Sequence, residues 1–272
     1  MSAGRIAERF AALAREGRAA FVPYVVAGDP DAEACWRILK SLPAAGADLI
    51  ELGLPFSDPM ADGPSIQRGA VRALAAGMTV EGVLDLASRF RGVDQTTPLV
   101  LMGYYNPILA RGLKAFAAAA ARAGVDGLIM VDVPPEEAGP LSDALDAHDL
   151  ALISLATPTT DESRLKIISR RAKGFVYLVS VTGVTGTREA NPGAIAPLVK
   201  RVRTACDVPV AVGFGIRTPE RAAEVARVAD AAVVGTALVD ALAGEIALKR
   251  DPVPKVLALA SAMAQAVRFA RD

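Results

Sequence analysis

Eight apolar stretches rich in β-branched residues, each followed by a helical pattern, constrain the fold of this chain more than any other feature. They lie near residues 20, 48, 98, 125, 151, 175, 209 and 231. Dividing 272 residues among eight units gives about 34 residues per unit, close to the proportions of a (β/α)₈ barrel. A doubly wound open sheet uses similar units, but no GxGxxG follows the first strand, and eight units favour closure. We therefore predict an α/β fold, a single TIM-barrel domain over residues 1–272, with an additional N-terminal helix and extra helices after strands two and eight.

Turn and capping residues set the expected limits of the elements. Asn106-Pro107 is expected to close the third strand, and an Ala-rich helix is expected from Arg111 to Ala123. Pro134-Pro135-Glu136-Glu137 is expected to open the helix after the fourth strand, with its acids near the positive helix end. A short helix is expected to begin at Gly235-Thr236.

Composition and charge exclude several classes of protein. The chain is 52% hydrophobic, 22% charged and 5% aromatic, which provides a large aliphatic core and is not typical of a disordered chain. Thirty basic and thirty acidic residues cancel, so no general field attracts nucleic acid or an anionic membrane. No apolar run approaches the roughly 20 residues of a membrane span, and the charged first twenty residues lack a signal-peptide core. We expect a cytoplasmic protein that binds neither nucleic acid nor membrane.

Cysteine and histidine are too sparse for the chemistry they usually support. Cys35 and Cys206 form neither a CxxC pair nor a dense framework, which favours a reducing compartment. His148 is the single histidine and lies at an expected helix end, where capping is its ordinary role. The sequence therefore predicts no metal site and no histidine triad.

The stretch ELGLPFSDPMADGP, residues 51–64, is the strongest candidate for an active site. It leaves a strand at Glu51 and enters a loop with three prolines and two aspartates, which forbids regular structure there. The alternative is a purely structural role, in which Glu51 ends a strand at the surface and the aspartates cap turns. In a barrel, however, Glu51 lies at the carboxyl end of strand two, where active sites occur.

Strand alternation gives the two acids of this stretch different surroundings. If Ile50 and Leu52 pack under helices, Glu51 points into the barrel, where burial raises the pKa of its carboxyl group. Asp62, on a wetter loop, is expected to stay ionised. Such a pair suits proton transfer near neutral pH.

Glycines follow three adjacent strands on the other side of the expected barrel. They are Gly183-Val184-Thr185-Gly186, Gly213-Phe214-Gly215 and Gly235-Thr236. Phosphate sites in TIM barrels form at the loops after strands seven and eight, beside a helix N-terminus. Each glycine turn alone is ordinary turn chemistry, but together they favour a phosphate site.

Several segments resemble those of one known family. ELGLPFSDPMADGPSIQ, residues 51–67, resembles the signature of the tryptophan synthase alpha subunit family. AFVPYVVAGDP at 20–30, YLVSVTGVTG at 177–186 and GFGI at 213–216 support the resemblance, which runs from the first helix to the last. The long loop motif is highly specific, whereas other phosphate-binding barrels share the glycine turns.

The resemblance implies retro-aldol cleavage of indole-3-glycerol phosphate to indole and glyceraldehyde 3-phosphate. By matching motifs, Glu51 is the proton-transfer residue, and Asp62 holds the indole N–H and stabilises positive charge on the ring. The implied substrate-binding residues are Tyr24, Tyr177, Thr185, Gly186, Phe214, Gly215, Gly235 and Thr236. Structural packing is the alternative for Tyr24, Tyr177 and Phe214, and many family members carry serine where Thr236 stands.

The resemblance also implies a partner, the pyridoxal-phosphate-bearing beta subunit, in an αββα assembly. The implied contact residues are Pro55, Phe56, Ser57, Asp58, Asn106 and Pro107. No cofactor is expected in this chain, and the reaction needs no metal. Two other readings stay open: another phosphate-binding barrel enzyme of indole or sugar-phosphate metabolism, or a non-catalytic barrel subunit that activates a partner.

Overall fold

Eight parallel strands close into a barrel, as the eight sequence units predicted. The computed structural model describes residues 4–179, 192–213 and 215–272. Each strand pairs with the next along the chain, and the last pairs with the first. The strands are β1 (Ala20–Val26), β2 (Ile50–Gly53), β3 (Leu99–Gly103), β4 (Gly127–Met130), β5 (Ala151–Ala156), β6 (Val176–Val179), β7 (Val210–Gly213) and β8 (Ala231–Val234).

Helices surround the barrel in the described ranges. They are α1 (Gly4–Arg15), α2 (Ala32–Ser41), α3 (Pro64–Ala75), α4 (Val80–Val93), α5 (Tyr105–Arg111), α6 (Leu113–Arg122), α7 (Gly139–Asp146), α8 (Glu162–Arg171), α9 (Pro192–Ala205), α10 (Pro219–Val228), α11 (Thr236–Ala247) and α12 (Val253–Arg268). The additional α1 and the helix pairs after β2 and β8 confirm the prediction. The pair after β3 was not predicted. None of these helices has the length and apolar character required to cross a membrane.

Side chains of the strands alternate between two apolar layers. Leu49 and Val100 belong to a cluster inside the barrel, whereas Ile50 and Leu52 belong to the layer between the sheet and the helices. Alternation then places Glu51 on the inner face, as predicted. Helix α1 packs its buried face, which includes Phe10, against the inner cluster.

The predicted strand end at Asn106-Pro107 is wrong. Strand β3 ends at Gly103, and both residues lie in the first turn of α5. Proline is tolerated there because the first N–H groups of a helix have no partner within it. Gly112, with φ +87°, separates α5 from α6, so the helix expected from Arg111 begins at Leu113 instead.

The helix after β4 also begins later than predicted. Pro134 and Pro135 lie in a turn closed by the N–H of Glu137 on the Pro134 carbonyl, and α7 begins at Gly139. A residue before proline is kept out of the α conformation, so Pro134 cannot start a helix into Pro135. Pro140 provides the helix-initiating proline instead.

Three aspartates brace the amino ends of the strands. Each stands just before an even-numbered strand and accepts an N–H from the start of the preceding strand: Asp48 from Phe21, Asp126 from Leu99, and Asp230 from Val210. Arginines neutralise each of these carboxylates. The three similar strand leads GADLIE, GVDGLI and VADAAVVG therefore share a structural task at the barrel end opposite to the cavity described next.

Candidate active site

A cavity of about 640 Å³ opens at the carboxyl ends of the strands. It brings together seven of the residues that the sequence placed in the site. These are Tyr24, Glu51, Asp62, Tyr177, Gly215, Gly235 and Thr236. Apolar side chains complete much of the wall: Ile66, Met102, Met130, Leu155, Val179 and Val233. The cavity therefore combines a broad apolar surface with a few polar groups, as small-molecule sites do.

Glu51 is fully buried in this cavity wall. It stands in register with Tyr24 on β1 and Val100 on β3. Neither carboxyl oxygen of Glu51 has a hydrogen-bond partner among the described residues. Burial raises the pKa of Glu51 from 4.5 to about 8, so the carboxyl group holds a proton at neutral pH. The predicted inward orientation and raised pKa are confirmed.

Asp62 lies on the loop after β2 and is half-buried. Gln67 of α3 holds this loop through hydrogen bonds from its amide nitrogen to the Asp62 and Pro59 carbonyls, 3.0 and 3.3 Å. Burial raises the pKa of Asp62 from 3.8 to about 6, although a hydrogen bond from the Tyr104 hydroxyl group, 3.1 Å, opposes the rise. The Asp62 carboxylate is less exposed to solvent than its loop position suggested. At pH 7 it is nevertheless mostly ionised.

Two tyrosine hydroxyl groups occupy space that glycines leave open. A Cβ on Gly53 would lie 2.2 Å from the Tyr24 hydroxyl oxygen, and one on Gly213 would lie 2.0 Å from the Tyr177 hydroxyl oxygen. Burial, together with the charges of Glu51 and Asp62, raises the pKa of both tyrosines well above the usual value. Both rings are buried beside the acids and keep their protons at neutral pH.

The part of the cavity that follows β7 and β8 has the backbone features of an anion site. Gly215 has φ +75°, a conformation that favours glycine. Gly235 caps α11, and Thr236 is its first residue, so the positive end of a 12-residue helix faces the cavity. Three predicted site residues, Thr185, Gly186 and Phe214, lie outside the described residues.

The residues expected to contact a partner lie after β2 and in the first turn of α5, at the end of the barrel where the cavity opens. Ser57, Asp58 and Asn106 are exposed, and Pro55, Phe56 and Pro107 are half-buried. Two large apolar side chains beside them, Met60 and Leu109, are 80% and 52% exposed. These eight residues form what we term the mouth face.

Tyr104 is a site residue that sequence reasoning missed. It follows β3 and contacts Asp62, 42 residues earlier in the chain. The signal was its position, because residues just after barrel strands line the active end. The described residues contain no cluster of three or more His, Cys, Asp or Glu side chains placed to hold a metal.

Fold and site together place the chain in the class of (β/α)₈-barrel enzymes with a carboxyl-lined cavity at the carboxyl ends of the strands. The family model described as tryptophan synthase alpha chain matches residues 10–268. The chain belongs to the tryptophan synthase alpha chain family.

Individual relatives agree over the full length. A tryptophan synthase alpha chain of Phenylobacterium zucineum is 65% identical over 271 residues, covering 100% of this chain and 98% of the relative. One of Caulobacter vibrioides is 62% identical with the same coverage. Among solved structures, tryptophan synthase subunit alpha from Legionella pneumophila is similar, with a TM-score of 0.91, 40% identity and 98% of each chain covered. A Mycobacterium tuberculosis tryptophan synthase chain has a TM-score of 0.88 at 37% identity, covering 98% of this chain and 99% of that one.

Proposed function

We propose that this chain cleaves indole-3-glycerol phosphate to indole and glyceraldehyde 3-phosphate, as the alpha subunit of tryptophan synthase in the final steps of L-tryptophan biosynthesis. The observation that carries the proposal is the fully buried Glu51, whose carboxyl group has no hydrogen-bond partner in the described part of the chain and lines one cavity with Asp62. A buried carboxyl group without a partner is costly for folding, which favours a chemical role for it.

Glu51 performs both proton transfers of the cleavage. Its proton moves to C3 of the indole ring, and the resulting carboxylate then removes the proton from the adjacent side-chain hydroxyl group. The carbon–carbon bond breaks as that oxygen becomes the aldehyde carbonyl and the bonding electrons restore the indole ring. Glu51 ends the cycle protonated, as it began, and a pKa of about 8 permits both steps near neutral pH.

Asp62 stabilises the charged ring that exists between these steps. Protonation at C3 leaves a positive charge on the indole nitrogen, and an ionised carboxylate on the N–H offsets it in a partly desolvated site. The pKa values of about 8 for Glu51 and about 6 for Asp62 divide the two roles at pH 7. Tyr24 and Tyr177 flank the ring as parts of the apolar wall.

The phosphate group is proposed to bind after β7 and β8, at Gly215, Gly235 and Thr236. The N-terminus of α11 favours an anion there, and the Thr236 hydroxyl group replaces the serine of many family members. Thr185, Gly186 and Phe214 are proposed to complete the substrate site.

A beta subunit is proposed to dock on the mouth face in an αββα assembly, with pyridoxal phosphate held by that partner and no cofactor in this chain. The exposed apolar side chains of Met60 and Leu109 support docking there. We propose the cytoplasm as the compartment, since both cysteines are free and buried.

Proline stiffness at the mouth face is open to a direct test. Pro55→Gly should weaken beta-subunit affinity by several-fold, because a more flexible loop loses more entropy on docking. Pro254→Gly, at an exposed proline of α12, is the matched control. Calorimetric titration with the beta subunit measures the difference, and equal affinities would contradict a docking role for Pro55.

The function itself is tested by incubating the purified chain with indole-3-glycerol phosphate and measuring indole release, with and without a beta subunit. We expect release by the chain alone and faster release in the complex. No indole under either condition would refute the proposed reaction and favour one of the other two readings.

A further inference from the structure

Tyr104 holds the loop after β2, which carries Asp62, through two hydrogen bonds of its hydroxyl group. The hydroxyl donates a hydrogen bond to Asp62 Oδ2, 3.1 Å, and accepts one from the backbone N–H of Ala61, 3.0 Å. The side chain of Tyr104 is buried, so little water competes for these bonds. A single phenol thus sets the position of the carboxylate and of the backbone beside it.

The same residue contacts both segments of the mouth face. Its ring packs on Phe56 with centroids 5.2 Å apart and planes inclined by 31°. Its backbone forms the N-cap of α5, the helix that carries Asn106 and Pro107. A displacement of either segment therefore reaches the hydroxyl group that holds Asp62.

Asp132 ties α5 to the cavity at a second point. This cavity-lining residue follows β4 and accepts the N–H of Tyr105 through its two oxygens, 2.9 and 3.2 Å. The first N–H groups of a helix need such partners. The start of α5 is held at the ends of two strands and not by a flexible loop. A displacement of α5 therefore also displaces Tyr104.

We infer that Tyr104 is a positioning residue that holds Asp62 toward the substrate and transmits docking of the beta subunit to that carboxylate. The inference deepens the proposed function and rests on it. Glu51, Tyr24 and Tyr177 also face Asp62, but among the described residues Tyr104 is the group hydrogen-bonded to its carboxylate.

Tyr104→Phe is the central variant, because it removes the hydroxyl group and keeps the ring on Phe56. We expect kcat for indole release to fall about tenfold, equivalent to about 1.4 kcal/mol, with KM nearly unchanged. Stimulation by the beta subunit should fall as well. Tyr105→Phe is the matched control, since the hydroxyl of Tyr105 is not bonded to Asp62, and it should stay within about twofold of wild type.

A titration of the Asp62 carboxyl carbon by NMR tests the contact without catalysis. The Tyr104 hydroxyl lowers the pKa of Asp62, which is about 6 in the wild type. Tyr104→Phe should therefore raise that pKa, and Tyr105→Phe should leave it unchanged. The acid limb of the kcat profile should move upward with the titration.

A double mutant separates positioning from general support of the fold. In an Asp62→Asn background, adding Tyr104→Phe should lower kcat by less than a further twofold, because the hydroxyl group acts through that carboxylate. A full tenfold loss in that background would overturn the inference, as would an unchanged Asp62 titration in Tyr104→Phe. If the wild-type chain and beta subunit release no indole, the proposed function fails, and the NMR titration still decides the link between Tyr104 and Asp62.

Discussion

Buried carboxyl groups at the two ends of the barrel are treated in opposite ways. At the amino end, Asp48 is 2% exposed and is bound by Arg9, by Arg18 at 2.9 and 3.0 Å, and by the N–H of Phe21. At the carboxyl end, Glu51 is 0% exposed and has no partner among the described residues. A buried charge is stable when paired and hydrogen-bonded, whereas an unpaired group takes the neutral form. The first arrangement supports a fold, and the second keeps a proton ready for transfer.

The largest effect should come from Glu51→Gln, which retains shape but cannot exchange the proton. We expect kcat for indole release to fall by about a thousandfold, within the range for loss of an acid–base group. Steady-state kinetics with the beta subunit present measure the loss, with circular dichroism to verify folding. Turnover like that of the wild type would remove Glu51 from the proton-transfer role.

Asp48→Asn tests the opposite end and should act on stability instead. Removing this charge leaves Arg9 without its carboxylate partner and Arg18 with Glu16 alone, and we expect the unfolding free energy to fall by about 3 kcal/mol. Asp230→Asn is the matched control and should cost less, about 1 kcal/mol, because that carboxylate is 31% exposed. Urea denaturation compares the two, and kcat of the folded variants should equal that of the wild type. If Asp48→Asn lowered kcat without lowering stability, the proposed difference between the two ends of the barrel would be wrong.

Asp62 stands between these extremes, since it is half-buried and its partner is the neutral Tyr104 hydroxyl group. Asp62→Asn should lower kcat about a hundredfold, because a neutral amide no longer offsets the charge on the indole ring. Binding of glycerol phosphate should persist, since the proposed phosphate site is formed by other residues, after β7 and β8. Calorimetry with glycerol phosphate checks this, and loss of binding together with activity would indicate a structural role.

The smallest effect is a pH-dependent gain in stability from Glu51→Gln. In the wild type the pKa of Glu51 is about 8 in the folded chain, against 4.5 for a glutamate in water, so the unfolded chain releases the proton first. Glu51 therefore stabilises the fold most below pH 4.5, and this contribution is lost as the pH rises toward 8. Glutamine cannot ionise, so the variant should be about 2 kcal/mol more stable than wild type at pH 6, and nearly equal to it at pH 4. Thermal melts of both proteins measure this difference. A difference in stability that stays constant across this pH range would refute the unpaired state of Glu51.

Local patterns carried the prediction of the barrel but not its irregular turns. The alternation of strands and helices, the additional α1 and the inward face of Glu51 all follow from periodicity within a few residues. The start of α5 does not, because Asn106-Pro107 fits both a turn and the first turn of a helix, and the Asp132 side chain on the next strand decides between them. The extent of one domain over residues 1–272 and the roles of Thr185, Gly186 and Phe214 stay predictions.

The recurrent strand leads also show what local patterns do not predict. GADLIE, GVDGLI and VADAAVVG are recognisable as similar turns in the sequence. That their aspartates accept an N–H from the start of the preceding strand depends on parallel strand pairing, which joins residues 20 to 27 positions apart. No short-range pattern contains that contact.

The sequence by itself determined which residues form strands, which face of β2 carries Glu51, and which loop carries Asp62. Only the tertiary structure decided that, within the described ranges, Glu51 has no hydrogen-bond partner while Asp48 has three, and that Tyr104 joins Asp62 to the mouth face. The physical reason is range. Periodicity and turn chemistry act over a few bonds, whereas burial and hydrogen-bond partners are set by closing the barrel, which brings residues distant in the chain into contact.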